Sequence, residues 1–197
     1  MHLWIGTPTK PMAENPHEEF LTLYKPLHRR FVKYCDSMAW GIMEPRDLVQ
    51  ETTLVVLQKW NSIQKKESLL AFMIGTASNL VKMHLRKMKH QTRLEAESDA
   101  IRNLEAKTQS PDLAYDIQLM YKALDQLSYK EKECLILFEI SGFAVKEICE
   151  IQGEGESAIK ARLSRTRQKL RQILEDESPK HGRSNAVSAI FNSIALL

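Results

Sequence analysis

Apolar side chains recur along this chain at intervals of three and four, the period of an α-helix. Between Glu18 and Asp36 the stripe is Phe20, Leu23, Tyr24, Leu27, Phe31 and Tyr34. Pro26 interrupts it and predicts a bend or a late start. From Glu44 to Trp60 a second helix opens with Pro45 at its first position. Its inward face is Leu48, Thr52 and Val55, widened by Val56 and continued by the stem of Lys59. A third helix runs from Ser68 to about His90, with Leu69, Phe72, Met73, Thr76, Leu80 and Met83 on its face. Gly75 weakens its continuity.

The second half repeats the theme with sharper punctuation. Ser110-Pro111 supplies an N-cap and a proline just inside a helix carrying Leu113, Ile117, Met120, Leu124 and Leu127. Ser128 and Glu131 have capping-box spacing ahead of Cys134, Leu135, Leu137, Phe138 and Ile140. Gly142 ends that helix. Val145–Ile151 forms a short one with Val145, Ile148 and Cys149 inward, and Gly153 and Gly155 turn the chain. Ser157 caps the last long helix, whose narrow stripe is Ile159, Leu163, Thr166, Leu170 and Ile173. The pattern predicts an all-α protein of two small helical domains, 14–93 and 111–175, joined by a linker at 94–110 and followed by a tail at 176–197.

Charge changes this picture through its distribution. The net charge of the 197 residues is only +3. Yet Lys160–Arg171, KARLSRTRQKLR, holds six basic residues and no acid, and Lys82–Arg93 is also acid-free. Between them, 94–112 carries five acidic residues against two basic ones. Two cationic helical surfaces joined by an acidic segment suit a protein that meets nucleic acid at two places. A helix, a glycine turn and a basic helix form a helix-turn-helix, in which the second helix enters a major groove while the first braces it. On the 44–60 helix, Asp47 and Glu51 lie four apart. They read either as a solvated, dipole-favourable first turn or as a protein-docking face.

The three cysteines are isolated, which favours free thiols in a reducing compartment and offers no zinc site. No signal peptide pattern and no bilayer-length apolar run is present, so the expectation is a soluble, cytoplasmic protein without membrane insertion. No nucleophile–base pair or ligand cluster supports an enzyme, and no cofactor is expected.

Three motifs carry a family resemblance. Asp47–Thr52, DLVQET, resembles the signature of sigma region 2.2. Phe72–Arg86, FMIGTASNLVKMHLR, is similar to regions 2.3 and 2.4. Leu124–Leu170, with its IKARLSRTRQKL stretch, is similar to region 4. Their order over about 17–174 resembles the extracytoplasmic-function sigma factors of bacterial RNA polymerase, in the sigma-70 class. The resemblance implies a non-catalytic factor that binds core RNA polymerase and promoter DNA and directs initiation. It implies polymerase docking by Asp47, Gln50 and Glu51. Contact with the −10 element falls to Asn79, Lys82, Arg86, Lys87 and Lys89, and contact with the −35 element to Lys160, Arg162, Ser164, Arg165, Arg167 and Arg171. Members are often held inactive by an anti-sigma protein, so such a partner is implied too.

The chain departs from the family pattern at several positions. Gly75 and Ser78 replace common basic residues, and Met83 replaces a common acidic one. Ala144 stands where Ser or Thr usually caps, and Ser157 where glycine is usual. Glu154 and Glu156 place carboxylates at the start of the recognition helix. The competing reading is a stand-alone helix-turn-helix regulator that binds duplex DNA as a dimer without polymerase.

Overall fold

The computed structural model describes residues 16–94 and 111–177, all helix and turn. The expected linker from 95 onward and the tail from 178 lie outside the described residues.

The first module holds α1 (Pro16–Tyr24), α2 (His28–Ala39), α3 (Pro45–Gln58) and α4 (Leu69–Leu94). Pro26 breaks the first stripe into two helices, because a proline nitrogen cannot donate to the preceding turn. Phe20, Phe31 and Tyr34 are all buried. In α3, Pro45 opens the helix as expected, and Leu48, Thr52 and Val56 face the core. Val55 is only half-buried and Lys59 is exposed, so the lysine stem covers no core surface. Two 3-10 turns, Trp60–Ser62 and Lys66–Ser68, connect to α4.

α4 runs 26 residues without a break at Gly75. Its buried line is Leu69, Leu70, Met73, Ile74, Ala77 and Val81. This stripe is rotated by about one position from the expected face. Phe72, Thr76 and Leu80 are half-buried, and Met83 is exposed.

The second module holds α5 (Pro111–Asp125), α6 (Tyr129–Leu135), a widened π turn (Ile136–Ile140), α7 (Val145–Gln152) and α8 (Glu156–Glu177). At the start of α6 the Glu131 carboxylate accepts the Ser128 backbone N–H at 2.9 Å and its hydroxyl at 2.7 Å. Ala144 has no side chain to cap α7, but Glu147 accepts the Ala144 N–H at 2.7 Å. Half of a capping box therefore survives without its serine. Gly153 takes φ 67° at the end of α7, a left-handed backbone that costs any residue with a Cβ about 1–2 kcal/mol. Gly153→Ala is expected to lower stability by about that amount in a urea titration. α8 starts at Glu156, so Ser157 sits inside the helix, exposed, and caps nothing. The stripe of α8 is as expected: Ile159, Leu163, Thr166 and Leu170 are buried and Ile173 is half-buried.

The modules pack on one another. α2 lies against the 136–140 turn and α4 against α7. The Tyr34 hydroxyl donates to Glu133 at 3.0 Å in a buried setting. Arg30 makes two hydrogen bonds to the Glu147 carboxylate, at 3.0 and 2.7 Å, and stacks over the Phe143 ring at 4.0 Å. Trp40 stacks on Tyr121 with ring centroids 4.1 Å apart.

Candidate nucleic-acid and polymerase interface

α8 presents the exposed basic face. Its buried stripe fixes the helix on α6 and α5, which turns Lys160, Ser164, Arg165, Arg167 and Arg171 to solvent. Carboxylates surround these cations. Lys160 meets Glu156 at 3.1 Å, Arg167 meets Glu139 at 2.6 Å, and Lys169 meets Glu131 at 3.4 Å. Among the described residues, Arg165 and Arg171 form no ion pair. An unpaired, exposed guanidinium can approach a base edge without first displacing a carboxylate.

Arg162 is placed differently. It donates to Gln152 at 2.8 Å and to Glu154 at 2.5 Å, and its side chain is only 16% exposed. Lys130 grips the other oxygen of Glu154 at 3.0 Å. The unusual Glu154 is therefore the counter-ion that ties α8 to the turn after α7. Lys130 first and then Arg162 hold its carboxyl below the ordinary glutamate range. Sequence periodicity did not reveal this role, because Gln152 and Glu154 look like turn residues.

On α4, Asn79, Arg86, Lys87 and Lys89 are exposed. Lys82 is half-buried, with its ammonium 4.6 Å above the Tyr129 ring of the second module. Tyr129 also lies 3.0 Å from the Ser78 hydroxyl. Asn79 and Lys82 thus line a groove shared with Lys130, Glu133 and Gln152. On α3, Asp47 and Gln50 are exposed on one side of the helix. Glu51 is half-buried, 3.8 Å from His84 of α4. Leu54, one turn further on, is 59% exposed, which gives this acidic face an apolar contact that the charge pattern had not marked.

Glu147 joins the modules electrostatically. The Arg30 guanidinium, and after it the Ala144 N–H, hold its carboxyl below the ordinary range against the opposing effect of burial. A carboxylate depressed in the folded state adds stability above its unfolded pKa of about 4.3. That stability is lost as pH falls through the depressed value. Glu147→Gln is expected to flatten the acid limb of a stability–pH profile below about pH 4.3, measured by urea midpoints.

The three cysteines are free. Cys35 and Cys134 are buried and Cys149 is half-buried. Burial pushes the Cys134 thiol up to about 11 and the Cys35 thiol higher still, so both are poor nucleophiles.

Known proteins share both halves of this arrangement. The family model Sigma-70 region 2 matches residues 23–91, and Sigma-70, region 4 matches 117–170. Together they span more than half of the chain. The ECF RNA polymerase sigma factor EcfG of Rhodopseudomonas palustris is 32% identical over 92% of this chain and 97% of its own length. The RNA polymerase sigma factor CarQ of Myxococcus xanthus is 25% identical over 65% of this chain and 73% of its own. Among solved structures, the sigma factor RpoE of Bartonella quintana, crystallised with the anti-sigma factor NepR, superposes with a TM-score of 0.56. It is 29% identical and covers 81% of this chain and 96% of that one. An acidic α3 face, a basic α4 and a helix-turn-helix thus occur together in a chain that belongs to the ECF sigma factors of the sigma-70 class, non-enzymatic proteins that direct RNA polymerase to promoters.

Proposed function

We propose that the three surfaces divide the work of a sigma factor by residue. Asp47, Gln50 and Glu51 dock α3 onto core RNA polymerase, with Leu54 as an apolar anchor in the same contact. Asn79, Arg86, Lys87 and Lys89 engage the −10 element, and Lys82 joins them when Tyr129 moves away. Arg165 reads base edges of the −35 element. Lys160, Ser164, Arg167 and Arg171 hold the phosphates and fix the register. Arg162 acts at one remove, by setting the angle at which α8 leaves the turn.

The observation that carries this reading is the outward face of α8: cationic and solvent-exposed, on a helix whose opposite stripe is fully packed. The transition to open DNA needs no group-transfer chemistry. Unstacking costs a few kcal/mol per step, and polymerase contacts together with captured bases offset it. A stand-alone regulator would have no use for a region 2 module, and this chain carries one over residues 23–91.

The complex of the similar sigma factor RpoE with NepR supports an anti-sigma partner for this chain as well. The test is runoff transcription with purified core polymerase and a promoter library. A transcript that requires this protein and both promoter elements supports the assignment. Polymerase-independent binding to duplex DNA with no transcript would overturn it.

A further inference from the structure

Arg167 of α8 is held by a turn that breaks the helical register. After α6 the chain widens into the π turn Ile136–Ile140, where the Ser141 N–H donates to the Ile136 carbonyl at 3.0 Å, five residues back. Such turns are rare and are frequent at functional sites. From Lys132 to Ile140 every residue is buried except Phe138 and Glu139, which are half-buried. Both of these meet Arg167.

The contact engages the guanidinium on one edge and one face. Arg167 Nε donates to Glu139 Oε1 at 2.7 Å, and Nη2 lies 2.6 Å from the same oxygen. The Phe138 ring centroid is 5.2 Å from the central guanidinium carbon. A guanidinium has five N–H donors in a rigid plane. Glu139 takes one from Nε and one from Nη2, which leaves both Nη1 protons and one on Nη2. The side chain is still 46% exposed, so a ligand can reach them.

The other carboxylate contacts along this helix are looser. Lys160 and Glu156 form an exposed pair within α8, and Lys169 is 3.4 Å from Glu131. Neither fixes a direction, because an ammonium is a point charge with rotatable donors. Lys160, Ser164, Arg167 and Arg171 recur at four, three and four residues, which makes them one ridge of α8.

Resting on the −35 role proposed above, we propose that Glu139 is a positioning residue of the DNA reader. With Phe138 it aims the Arg167 guanidinium so that its remaining donors meet a phosphate along that ridge, and the pair stays closed on DNA. A carboxylate beside DNA repels phosphate. Glu139 therefore weakens binding unless the order it gives Arg167 outweighs the repulsion. A long side chain that is already immobilised loses less freedom when it binds.

The test uses holoenzyme assembled from the full chain and purified core polymerase. Its templates are a promoter recovered by the runoff library and the same promoter with the −35 element replaced. Glu139→Ala is expected to lower −35-dependent transcription about 2- to 12-fold, the worth of one pre-immobilised rotamer-rich side chain, although charge alone predicts a rise. Glu139→Gln removes the same charge but keeps an acceptor oxygen, and is expected to recover most of the loss. In an Arg167→Ala background, Glu139→Ala is expected to change nothing further.

Equal gains for the alanine and glutamine variants would show that Glu139 only competes with phosphate, and would overturn the proposal. A loss that persists in the Arg167→Ala background, with a matching fall in thermal midpoint, would do the same by marking a contact that serves stability alone. If the wild-type chain gives no −35-dependent transcript, the promoter reading falls and this inference with it. If Arg167→Ala lowers the transcript while Glu139→Ala leaves it unchanged, this inference falls alone.

Discussion

Replacing Trp60 with alanine is expected to lower the stability of the chain by about 3–5 kcal/mol, the range for deleting a large buried aromatic. Trp60 is 2% exposed. Its ring meets Phe20 edge-on at 5.4 Å and lies under the Lys66 ammonium at 4.7 Å. Its indole N–H donates to Glu19 at 3.1 Å, and Lys66 reaches the same carboxylate oxygen at 2.5 Å. Alanine would leave a cavity and remove the indole donor to Glu19 together. With total stabilities of about 5–15 kcal/mol, a loss of that size leaves the first module only marginally folded. Urea titration followed by circular dichroism reads the change. Trp60→Phe is expected to recover most of the packing but not the hydrogen bond. A shift under about 1 kcal/mol for the alanine variant would show that the 60–68 turns are not integral to the core.

The largest functional effect is expected at Arg165. It is exposed, and it pairs with no carboxylate among the described residues. Losing a base-edge contact costs about 1–3 kcal/mol, or roughly a 5- to 150-fold drop in −35-dependent transcription. Core polymerase binding should be unchanged, because α3 is untouched. Arg162→Ala provides the contrast. It removes the clamp on Gln152 and Glu154, so its loss should appear in the thermal stability of the second module as well as in transcription. If Arg165→Ala lowered transcription equally from promoters with and without a −35 element, the base-reading role would be wrong.

The legibility of the fold varied with how exclusive each pattern was. In α8 the large apolar residues fall on one stripe and charged or small residues fill the rest, so Ile159, Leu163, Thr166 and Leu170 could be placed individually. α4 offered no such choice. Leucine, methionine, isoleucine, alanine and valine occur around most of its circumference, and the periodic fit settled one position away from the true face. Part of that ambiguity has a cause, since α4 packs against α7 as well as against α2 and α3. Met83 was drawn into the stripe by its hydropathy but lies in solvent.

The contacts between the modules left no trace in the sequence. Tyr34 and Glu133 are 99 residues apart, and Arg30 and Glu147 are 117 apart. Lys132 and Glu133 are charged residues just after the helix start at Ser128, yet both are buried. No local period encodes a contact of that range. The residues proposed for docking and for the −10 and −35 contacts were marked by short motifs in a fixed order. The distinction between Arg162 as a clamp and Arg165 as a free guanidinium was not, because it depends on where the α7–α8 turn places Glu154.

Glu147 serves two masters, and this constrains how the protein can vary. Its carboxylate accepts the Ala144 N–H at the start of α7, where no serine stands at 144, and it is also the anchor for Arg30. A lineage that tightened or loosened the clasp by changing residue 147 would fray the bracing helix of its own DNA reader. The adjustable end therefore lies on α2, at position 30, where a substitution can weaken the contact between the modules while the start of α7 stays intact.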